Sequence, residues 1–420
     1  MAMFQPFRAV RPLPQYAAEV AALPYDVMNS QEAREMVQGK PHSFLHVDKA
    51  EIDLPEGTDL YSDDVYAKAR ENLKKLGAEN ICKRERRPCF YLYRQIMDGR
   101  SQTGVVGCAA IDEYRNNTIK QHEKTRADKE QDRIRHVDTL DANTGPIFLT
   151  YRSNAQLSAV VAQWQNTHEP VYDFASEQGV QQTVWVVDDE AAIAALSDCF
   201  AQVESLYIAD GHHRAASAVK VGLKRREEFP DYNGKEEFNF FLAVAFAQEE
   251  LAILDYNRLI QDLNGMDAED FLAAISERFT VEPQPGAAPY SPKAAHTFGM
   301  YLGGQWYALL AKEGSFPADD PVASLDVSIL QDNLIAPVLG IADPRTDKRI
   351  DFVGGIRGLA ELEKRVDGGM ALAFSMYPTA IDELMRIADA GEVMPPKSTW
   401  FEPKLLSGLF IHELTLSAAE

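Results

Sequence analysis

The residues best suited to chemistry in this 420-residue chain form one run, ADGHHR, from Ala209 to Arg214. The apolar residues Leu206 to Ala209 lead into it, and the pattern from His213 onward is helical, which predicts a strand-to-helix turn at Asp210 and Gly211. Ligands of α/β sheets bind at the carboxyl ends of strands, and the N–H groups and dipole of a helix start favour an anion. The sequence therefore predicts a phosphate site at this turn.

Each polar side chain of the run has a use at such a site. Gly211 allows close backbone approach to a ligand, while His212 and His213 bring hydrogen-bond donors. Arg214 can bind phosphate in a bidentate manner. Asp210 is predicted to be a catalytic base or the anchor of a metal ion, with Mg²⁺ the expected ion. The alternatives are an ordinary Asp-Gly turn or zinc on the two histidines, which diverge on a helix and have no HExxH companion.

A second candidate, HEKT, opens a long polar run of mixed charge after strand-like residues. Its carboxylate, imidazole and cations could position phosphate oxygens and neutralise their charge. The predicted members are His122, Glu123, Lys124, Thr125 and Arg126. Glu123 is the second catalytic carboxylate in this interpretation. The alternative is a solvated helix laced with salt bridges, and Lys129 and Arg133 are expected to be ordinary surface charges.

Two segments near the start of the chain supply further polar residues. In LPYDV, Asp26 precedes a helix with a capping signal, and it is either a turn residue or a catalytic carboxylate that complements Asp210. In SFLHVD, interpreted as an apolar strand, His46 and Asp48 are expected to be structural.

The segment MPPKSTW places Lys397, Ser398 and Thr399 on a loop held by two prolines. This trio is similar to a phosphate-binding arrangement but lacks the glycines of a P-loop, and an exposed loop tip is the alternative. If the trio serves the site, the C-terminal segment must fold back toward ADGHHR.

Bulk composition restricts the class of protein. The net charge is −22, from 42 basic and 64 acidic residues, which disfavours a nucleic-acid partner but leaves room for one small phosphate pocket. The four cysteines have neither CxxC nor zinc spacing, so we expect small buried thiols and a reduced, cytoplasmic compartment. We find no export signal and no apolar run of about eighteen residues, so no membrane span is expected.

Alternating strand and helix patterns predict an α/β fold. Hairpins about Asp98-Gly99 and over Phe238 to Leu259 favour a mixed sheet over an all-parallel one. A turn signal at Asn264-Gly265, followed by a proline-rich stretch, marks a boundary. We therefore predict a catalytic core of residues 1–262 and an α/β region of residues 263–420 that folds back on it. The last helix is expected to begin at a Thr379 cap.

DGHHR behind an apolar strand resembles the signature of the ParB/sulfiredoxin-like superfamily, particularly its free serine kinases. Over nearly the whole length, the chain also resembles the bacterial domain-of-unknown-function family numbered 1015. The pieces that carry the second resemblance are FRAVRPLP with LPYDV, HEKT, ADGHHR and MPPKSTWFEPKL. Together they imply a ParB/sulfiredoxin-like core that binds a nucleotide or phosphate.

Departures from the superfamily pattern narrow what the resemblance implies. His212 stands where sulfiredoxins carry a cysteine, which argues against sulfur redox chemistry, and no ParB-type helix-turn-helix or basic surface is found. What remains is phosphoryl transfer to free serine, or removal of phosphate from O-phosphoserine, with ATP, ADP or pyrophosphate as candidate donors. A nucleotide-binding switch without turnover and a metal-dependent hydrolase are the alternatives. A small phosphorylated molecule or nucleotide is the expected partner, and self-association stays open.

Overall fold

The computed structural model describes residues 2–286 and 288–415. The chain divides into two compact units, one of Met1–Leu251 with Pro403–Glu420 and one of Ala252–Glu402. The division falls after Leu251 rather than after residue 262, and the C-terminal segment belongs to the first unit rather than to the second. The boundary differs because strand residues near Leu259 pair within the second unit. The C-terminal segment differs because its residues pair with strands and loops of the first unit.

The first unit contains a large sheet and the helices that cover it. Its strands, in chain order, are β1 (Phe4–Gln5), β2 (Val10–Pro12), β3 (Cys82–Arg84), β4 (Phe90–Met97), β5 (Arg100–Ala110), β6 (Ile119–Lys120), β7 (Ala142–Asn143), β8 (Ile147–Tyr151), β9 (Tyr172–Ala175), β10 (Gln181–Val187), β11 (Leu206–Asp210) and β12 (Phe240–Ala247). Its helices are α1 (Ala17–Val20), α2 (Ser30–Met36), α3 (Leu45–Asp48), α4 (Asp63–Ala78), α5 (Ile111–Arg115), α6 (Ala127–Leu140), α7 (Ala155–Thr167), α8 (Glu190–Phe200) and α9 (His212–Glu228).

Local sequence explains several of these elements. α2 begins at Asn29, whose side chain accepts the Glu32 N–H while the Glu32 carboxylate accepts the Asn29 N–H, the reciprocal capping box that the sequence predicts. β4 and β5 form the predicted hairpin, and its turn residues Asp98 and Gly99 have φ of 51° and 78°. SFLHVD is not the strand expected from its apolar start, because residues 45–48 close a helical turn, α3.

The large sheet has the order β6-β11-β8-β12-β5-β4-β10-β9, with β1 paired to β5. β6 runs parallel to β11, and β8 runs parallel to β12, while the other described pairs are antiparallel. The predicted mixed α/β fold is therefore confirmed. The predicted hairpin between Phe238 and Leu259 is wrong, because β12 lies between β5 and β8 in this sheet.

Apolar residues of the central strands and of the covering helices form the core of the first unit. Fully buried members include Leu149 of β8, Ile208 of β11 and Phe241 of β12. All four cysteines are buried and unpaired, as predicted. Among the described residues we find no helix with the length and apolarity needed to cross a membrane.

The second unit is built on an antiparallel sheet with the order β15-β17-β16-β19-β14-β18. Its strands are β13 (Ile253–Leu254), β14 (Tyr256–Ile260), β15 (Phe279–Pro283), β16 (Thr297–Leu302), β17 (Gln305–Ala311), β18 (Ile350–Gly354), β19 (Leu372–Ser375) and β20 (Trp400–Phe401). Its α-helices are α10 (Ala268–Ile275), α11 (Asp326–Leu330), α12 (Ala360–Asp367) and α13 (Ile381–Asp389). The cap of α13 is Ala380 and not Thr379, whose hydroxyl donates to the Ser398 carbonyl instead.

After Glu402 the chain re-enters the first unit. There β21 (His412–Glu413) pairs with β7, and Ile411 forms an antiparallel bridge with Val10. Ser407 forms a second bridge with Ala22 through two backbone hydrogen bonds of 3.2 and 2.8 Å. The last segment is therefore a structural part of the unit that carries ADGHHR.

Candidate active site

ADGHHR forms the strand-to-helix turn that the sequence predicts. β11 ends at Asp210, and α9 begins at His212. Gly211 joins them with a φ of 93°, a left-handed conformation in which glycine has no steric penalty. A Cβ at Gly211 would lie 3.1 Å from Cζ of Arg214. The turn therefore requires glycine, both for its backbone and for the guanidinium packed against it.

We expect Gly211→Ala to destabilise the fold by about 2–3 kcal/mol, from left-handed strain together with crowding of Arg214. Gly179→Ala is the matched control, because its φ is 76° and no heavy atom lies within 4 Å of an added Cβ. That control should cost only about 1 kcal/mol. Urea unfolding of both variants measures the difference, and equal losses would contradict a role for the Arg214 contact.

The parallel pairing of β6 with β11 brings HEKT to the same edge of the sheet. Both strands end there, so His122 meets His212 with ring centroids 4.5 Å apart and ring planes perpendicular. The Arg126 N–H donates to Nε2 of His213 at 2.9 Å. Oε2 of Glu123 lies 3.6 Å from Nδ1 of His212. The two predicted motifs thus form one cluster.

Asp210 lies between two cations. Its Oδ2 atom is 3.2 Å from Nη2 of Arg214 and 4.0 Å from Nζ of Lys404. The Nη1 atom of Arg214 also donates to the Pro146 carbonyl, at the start of β8, at 2.5 Å. A Cβ on Gly145 would contact Cδ of Arg214 at 3.4 Å, so glycine leaves space for this side chain. Lys404 comes from the C-terminal segment of the same unit.

Burial by itself would raise the pKa of Asp210, but the charges of Lys404 and Arg214 outweigh burial and lower this pKa to about 2. The carboxylate is therefore ionised throughout the neutral range. A general base works best with a pKa near the working pH, so Asp210 is better suited to hold the two cations than to accept a proton.

The two packed histidines are neutral at neutral pH. Burial lowers the pKa of His122 to about 4, although a backbone hydrogen bond with Ile208 and the charge of Asp210 oppose the shift. Burial and the adjacent His122 lower the pKa of His212 well below its ordinary value. Three buried nitrogens of the cluster have no hydrogen-bond partner among the residues that the structure describes: Nδ1 of His122, Nε2 of His212 and Nε of Arg214. Buried polar atoms are almost always paired, so these atoms indicate a place for a ligand or water.

The free energy of unfolding should fall as the pH decreases from about 6.5 to about 4. In this range the unfolded chain protonates His122 near its ordinary pKa of 6.5, whereas the folded chain keeps it neutral down to about 4. Because the unfolded state binds more protons, stability is present above this range and is lost on acidification, by up to about 1.4 kcal/mol per pH unit for one histidine. Urea unfolding across this range should show a smaller slope for His122→Gln, and an unchanged slope would contradict the assignment.

Asp26 lies within electrostatic reach of the same cluster. It occupies a 3-10 turn, Tyr25–Val27, directly before the capped helix α2. Burial lowers the pKa of His213, and the charge of Asp26 opposes that shift. Burial would lower the pKa of Arg214, but the negative charges of Asp210 and Asp26 help to raise it above its ordinary value. The charge of Asp26 therefore acts on His213 and Arg214, and the pairing of Asp26 with Asp210 in catalysis stays a prediction.

The side chains of Lys124, Thr125 and Arg126 are exposed or bonded to residues of α6. Thr125 donates its hydroxyl to Glu130 at 2.7 Å, and the exposed Arg126 guanidinium pairs with Asp128 at 2.8 Å. Lys124 is exposed. The Arg126 backbone N–H, which donates to His213, is the hydrogen bond that links this part of HEKT to the side chains of ADGHHR.

The expectation that Arg133 is a surface charge is wrong. Arg133 is 9% exposed, forms two hydrogen-bonded contacts of 2.9 and 2.8 Å with Asp132, and places its guanidinium 3.9 Å from the Tyr25 ring. Helical periodicity shows which face of α6 is polar, but it does not show that other side chains cover that face. Lys129 is half-buried beside the Tyr61 ring.

Lys397, Ser398 and Thr399 belong to the second unit, and their described contacts are made within it. The Lys397 carbonyl accepts from Arg258 at 3.1 Å, and the Ser398 hydroxyl donates to the Pro395 carbonyl at 2.6 Å. Sequence reasoning chose this lysine and missed Lys404, which is seven positions further on in FEPKL. Lys404 could have been found from the sequence, because it lies in the same C-terminal motif, MPPKSTWFEPKL, whose last residues belong to the first unit.

The fold and site define a mixed α/β protein with a charged, histidine-rich turn at the carboxyl end of a sheet strand. A model of the family described as "Protein of unknown function (DUF1015)" matches residues 4–328, and the chain belongs to this family. No curated protein matches the chain significantly.

Comparison with solved structures gives distant matches. A free serine kinase in complex with AMP is 13% identical, with a TM-score of 0.34, over 71% of this chain and 86% of that chain. A variant of free serine kinase in complex with ADP is 14% identical, with a TM-score of 0.34, over 72% of this chain and 88% of that chain. A conserved hypothetical protein from Pyrococcus furiosus is 15% identical, with a TM-score of 0.32, over 71% and 90% of the two chains.

Proposed function

We propose that this chain is an enzyme that transfers phosphate to free serine or removes it from O-phosphoserine, with the phosphate held at the ADGHHR turn. The observation that carries the proposal is Asp210 held between Arg214 and Lys404 at the start of α9. Two cations and the N–H groups of a helix start favour an anion at this place. The three unpartnered nitrogens beside them are donors or acceptors for the same ligand.

In phosphoryl transfer the protein catalyses the reaction mainly by positioning the reactants and neutralising their charge. Arg214 and Lys404 would neutralise phosphate oxygens, and Asp210 would keep both cations in place. The neutral rings of His122 and His212 supply polar atoms without adding charge. Kinase-direction transfer forms a bond from the serine Oγ to the terminal phosphorus of the donor and breaks the bond to the bridging oxygen.

The serine hydroxyl proton needs an acceptor in this step. Among the site residues predicted from the sequence, Glu123 and Asp26 are the carboxylates other than Asp210, whose pKa of about 2 makes it a poor base. We propose that one of them takes the proton as the new bond forms. Glu123→Gln and Asp26→Asn variants separate the two, because only the variant of the true acceptor should lose the rate increase with pH that a carboxylate base gives.

A magnesium ion anchored on Asp210 does not fit the arrangement of side chains. Two cations already lie within 4.0 Å of Oδ2 of this carboxylate, and their positive charge disfavours a third cation beside them. Nor do the described residues include a group of three His, Cys, Asp or Glu side chains arranged around a common point. Mg²⁺ commonly binds through substrate phosphates and one or two carboxylates, so we propose that any such ion arrives with the donor.

The proposal is tested by incubating the purified protein with O-phosphoserine, or with serine plus ATP, ADP or pyrophosphate, with and without Mg²⁺. Phosphate release or phosphoserine formation is the expected result. Absence of turnover in every combination would overturn the proposal. Nucleotide binding without turnover would favour a ParB-like switch, and turnover that needs zinc would favour a metal-dependent hydrolase.

A further inference from the structure

A buried arginine of the second unit has no carboxylate partner. In the described part of the chain the buried arginines are Arg133 and Arg258, and Arg133 is paired with Asp132. Arg258 lies in β14, is 4% exposed and forms no ion pair with a described residue. Arginine is rarely buried to this degree without an opposite charge, although the chain has 64 acidic residues that could supply one. Arg258 is therefore a buried positive charge that lacks a counter-charge among the described residues.

The guanidinium of Arg258 bonds carbonyl groups instead of a carboxylate. Its Nη1 atom donates to the Tyr256 carbonyl, and its Nη2 atom donates to the Lys397 carbonyl at 3.1 Å. The centre of the Phe352 ring lies 5.5 Å from its Cζ atom. Burial lowers the pKa of Arg258 to about 10, although Tyr256 opposes this shift. Arg258 therefore keeps its charge at neutral pH, and carbonyl dipoles and one aromatic ring offset its burial only in part.

Lys397 places a second cation in the same part of the unit. Its ammonium lies 5.3 Å from the centre of the Tyr256 ring and forms no ion pair with a described residue. The side chain is exposed, and the backbone φ of 61° is in the left-handed region that favours glycine or asparagine. Backbone preference therefore does not explain a lysine at this position. Its residue type does suit the phosphate binding that the sequence of this loop predicts.

Tyr256 lies beside both cations. Its ring contacts the rings of Trp400 and Phe352, with centroids 5.0 and 6.0 Å away. Its hydroxyl forms no hydrogen bond within the part of the chain that the structure describes. The carboxylate of the adjacent Asp255 is bonded by Nδ2 of Asn257 at 2.5 Å and is not among the charges that act on the buried guanidinium. The groups that can meet a ligand here are therefore an ammonium and a phenol hydroxyl.

We propose that Lys397, Tyr256 and Arg258 form a phosphate-binding site of the second unit, in addition to the ADGHHR turn. The Lys397 ammonium and the Tyr256 hydroxyl bond phosphate oxygens, while Arg258 attracts the anion without direct contact. That attraction is strengthened by the low dielectric around a buried charge. The ligand is a small molecule with a phosphate group, which supplies the negative charge that Arg258 lacks. This inference goes beyond the proposed function and does not depend on it.

Titration of the whole chain with inorganic phosphate at constant ionic strength tests the site. Trp400 is a local reporter, because its ring contacts the Tyr256 ring. We expect a saturable change in tryptophan fluorescence that Trp400→Phe removes. Lys397→Gln should weaken phosphate binding about tenfold, the effect of losing one charge-assisted hydrogen bond. Constant ionic strength keeps general screening of surface charges the same throughout.

Lys348→Gln is the matched control, because Lys348 is an exposed lysine of the same unit that forms no ion pair with a described residue. It should bind phosphate as the wild-type chain does. The inference would be overturned by the lack of a saturable response in the wild type, by a response that Trp400→Phe retains, or by equal affinities of the two lysine variants.

Arg214→Lys separates this site from the ADGHHR turn. A fluorescence response that Arg214→Lys abolishes and Lys397→Gln leaves unchanged would assign the phosphate to the turn alone and refute the second site. A response that survives Arg214→Lys and weakens in Lys397→Gln would support the second site, even if the chain showed no turnover of O-phosphoserine or serine.

Discussion

The Asp210→Asn variant should lose phosphate turnover by about a hundredfold to a thousandfold, the usual effect of removing one preorganised charged group. The amide keeps the shape of the side chain but leaves Arg214 and Lys404 without their shared counter-charge. The two cations would then repel each other and move from the positions that phosphate oxygens require. Turnover of O-phosphoserine, or of serine with a phosphate donor, measures the loss.

The same substitution should lower the free energy of unfolding by roughly 3 kcal/mol, the lower end of the range for breaking a buried ion pair. The lower end applies because the Asp210 side chain is 33% exposed. Asp112→Asn is the control, since Asp112 also pairs with an arginine of α9, Arg226, through contacts of 2.8 and 2.7 Å. The control should lose some stability and no activity, and a fully active Asp210→Asn variant would refute the assigned role.

Arg214→Lys should lower turnover by about a hundredfold although it conserves the charge. The planar guanidinium bonds the Pro146 carbonyl and Asp210 at once, and it packs between Gly145 and Gly211. A lysine ammonium is a single point and cannot hold that fork-like arrangement while also facing a phosphate. The loss should appear mainly in kcat, because the interaction is needed most where charge moves between phosphate oxygens.

Arg226→Lys is the comparison for this variant, because Arg226 lies on the same helix and bonds Asp112 and Asn239. Its replacement should reduce stability without changing turnover. If both lysine variants were equally active, Arg214 would be a structural residue and the phosphate site would have to lie elsewhere. If Arg214→Lys only raised KM, the residue would contribute equally to substrate and transition-state binding.

The sequence predicted the ADGHHR turn correctly because its determinants are local. An apolar strand, an Asp-Gly pair and a helical pattern follow one another within a few residues, and glycine is the residue that accepts a φ of 93° there. The α2 capping box and the turn at Asp98 and Gly99 were predictable for the same reason. The mixed α/β class followed from the alternation of such elements.

The composition of the candidate site was predictable only in part. HEKT was expected near the turn from its residue types, but its position depends on the parallel pairing of β6 with β11, elements separated by more than eighty residues. No periodicity in either segment encodes that pairing. The roles of the two motifs in catalysis stay predictions, as does the ParB/sulfiredoxin-like relationship.

Sequence by itself determined the glycine turn, the residue types around it and the fold class, because these depend on backbone preferences and on spacing along the chain. Only the tertiary structure decided that Lys404, and not Lys397, neutralises Asp210, and that Asp48 and Arg133 are buried beside Arg214. The reason is that charge pairing and burial depend on which distant segments pack together, and this packing is determined by the tertiary structure and not by local sequence. The residue types of the turn predict a phosphate site, and the folded chain adds the cation Lys404 beside Asp210.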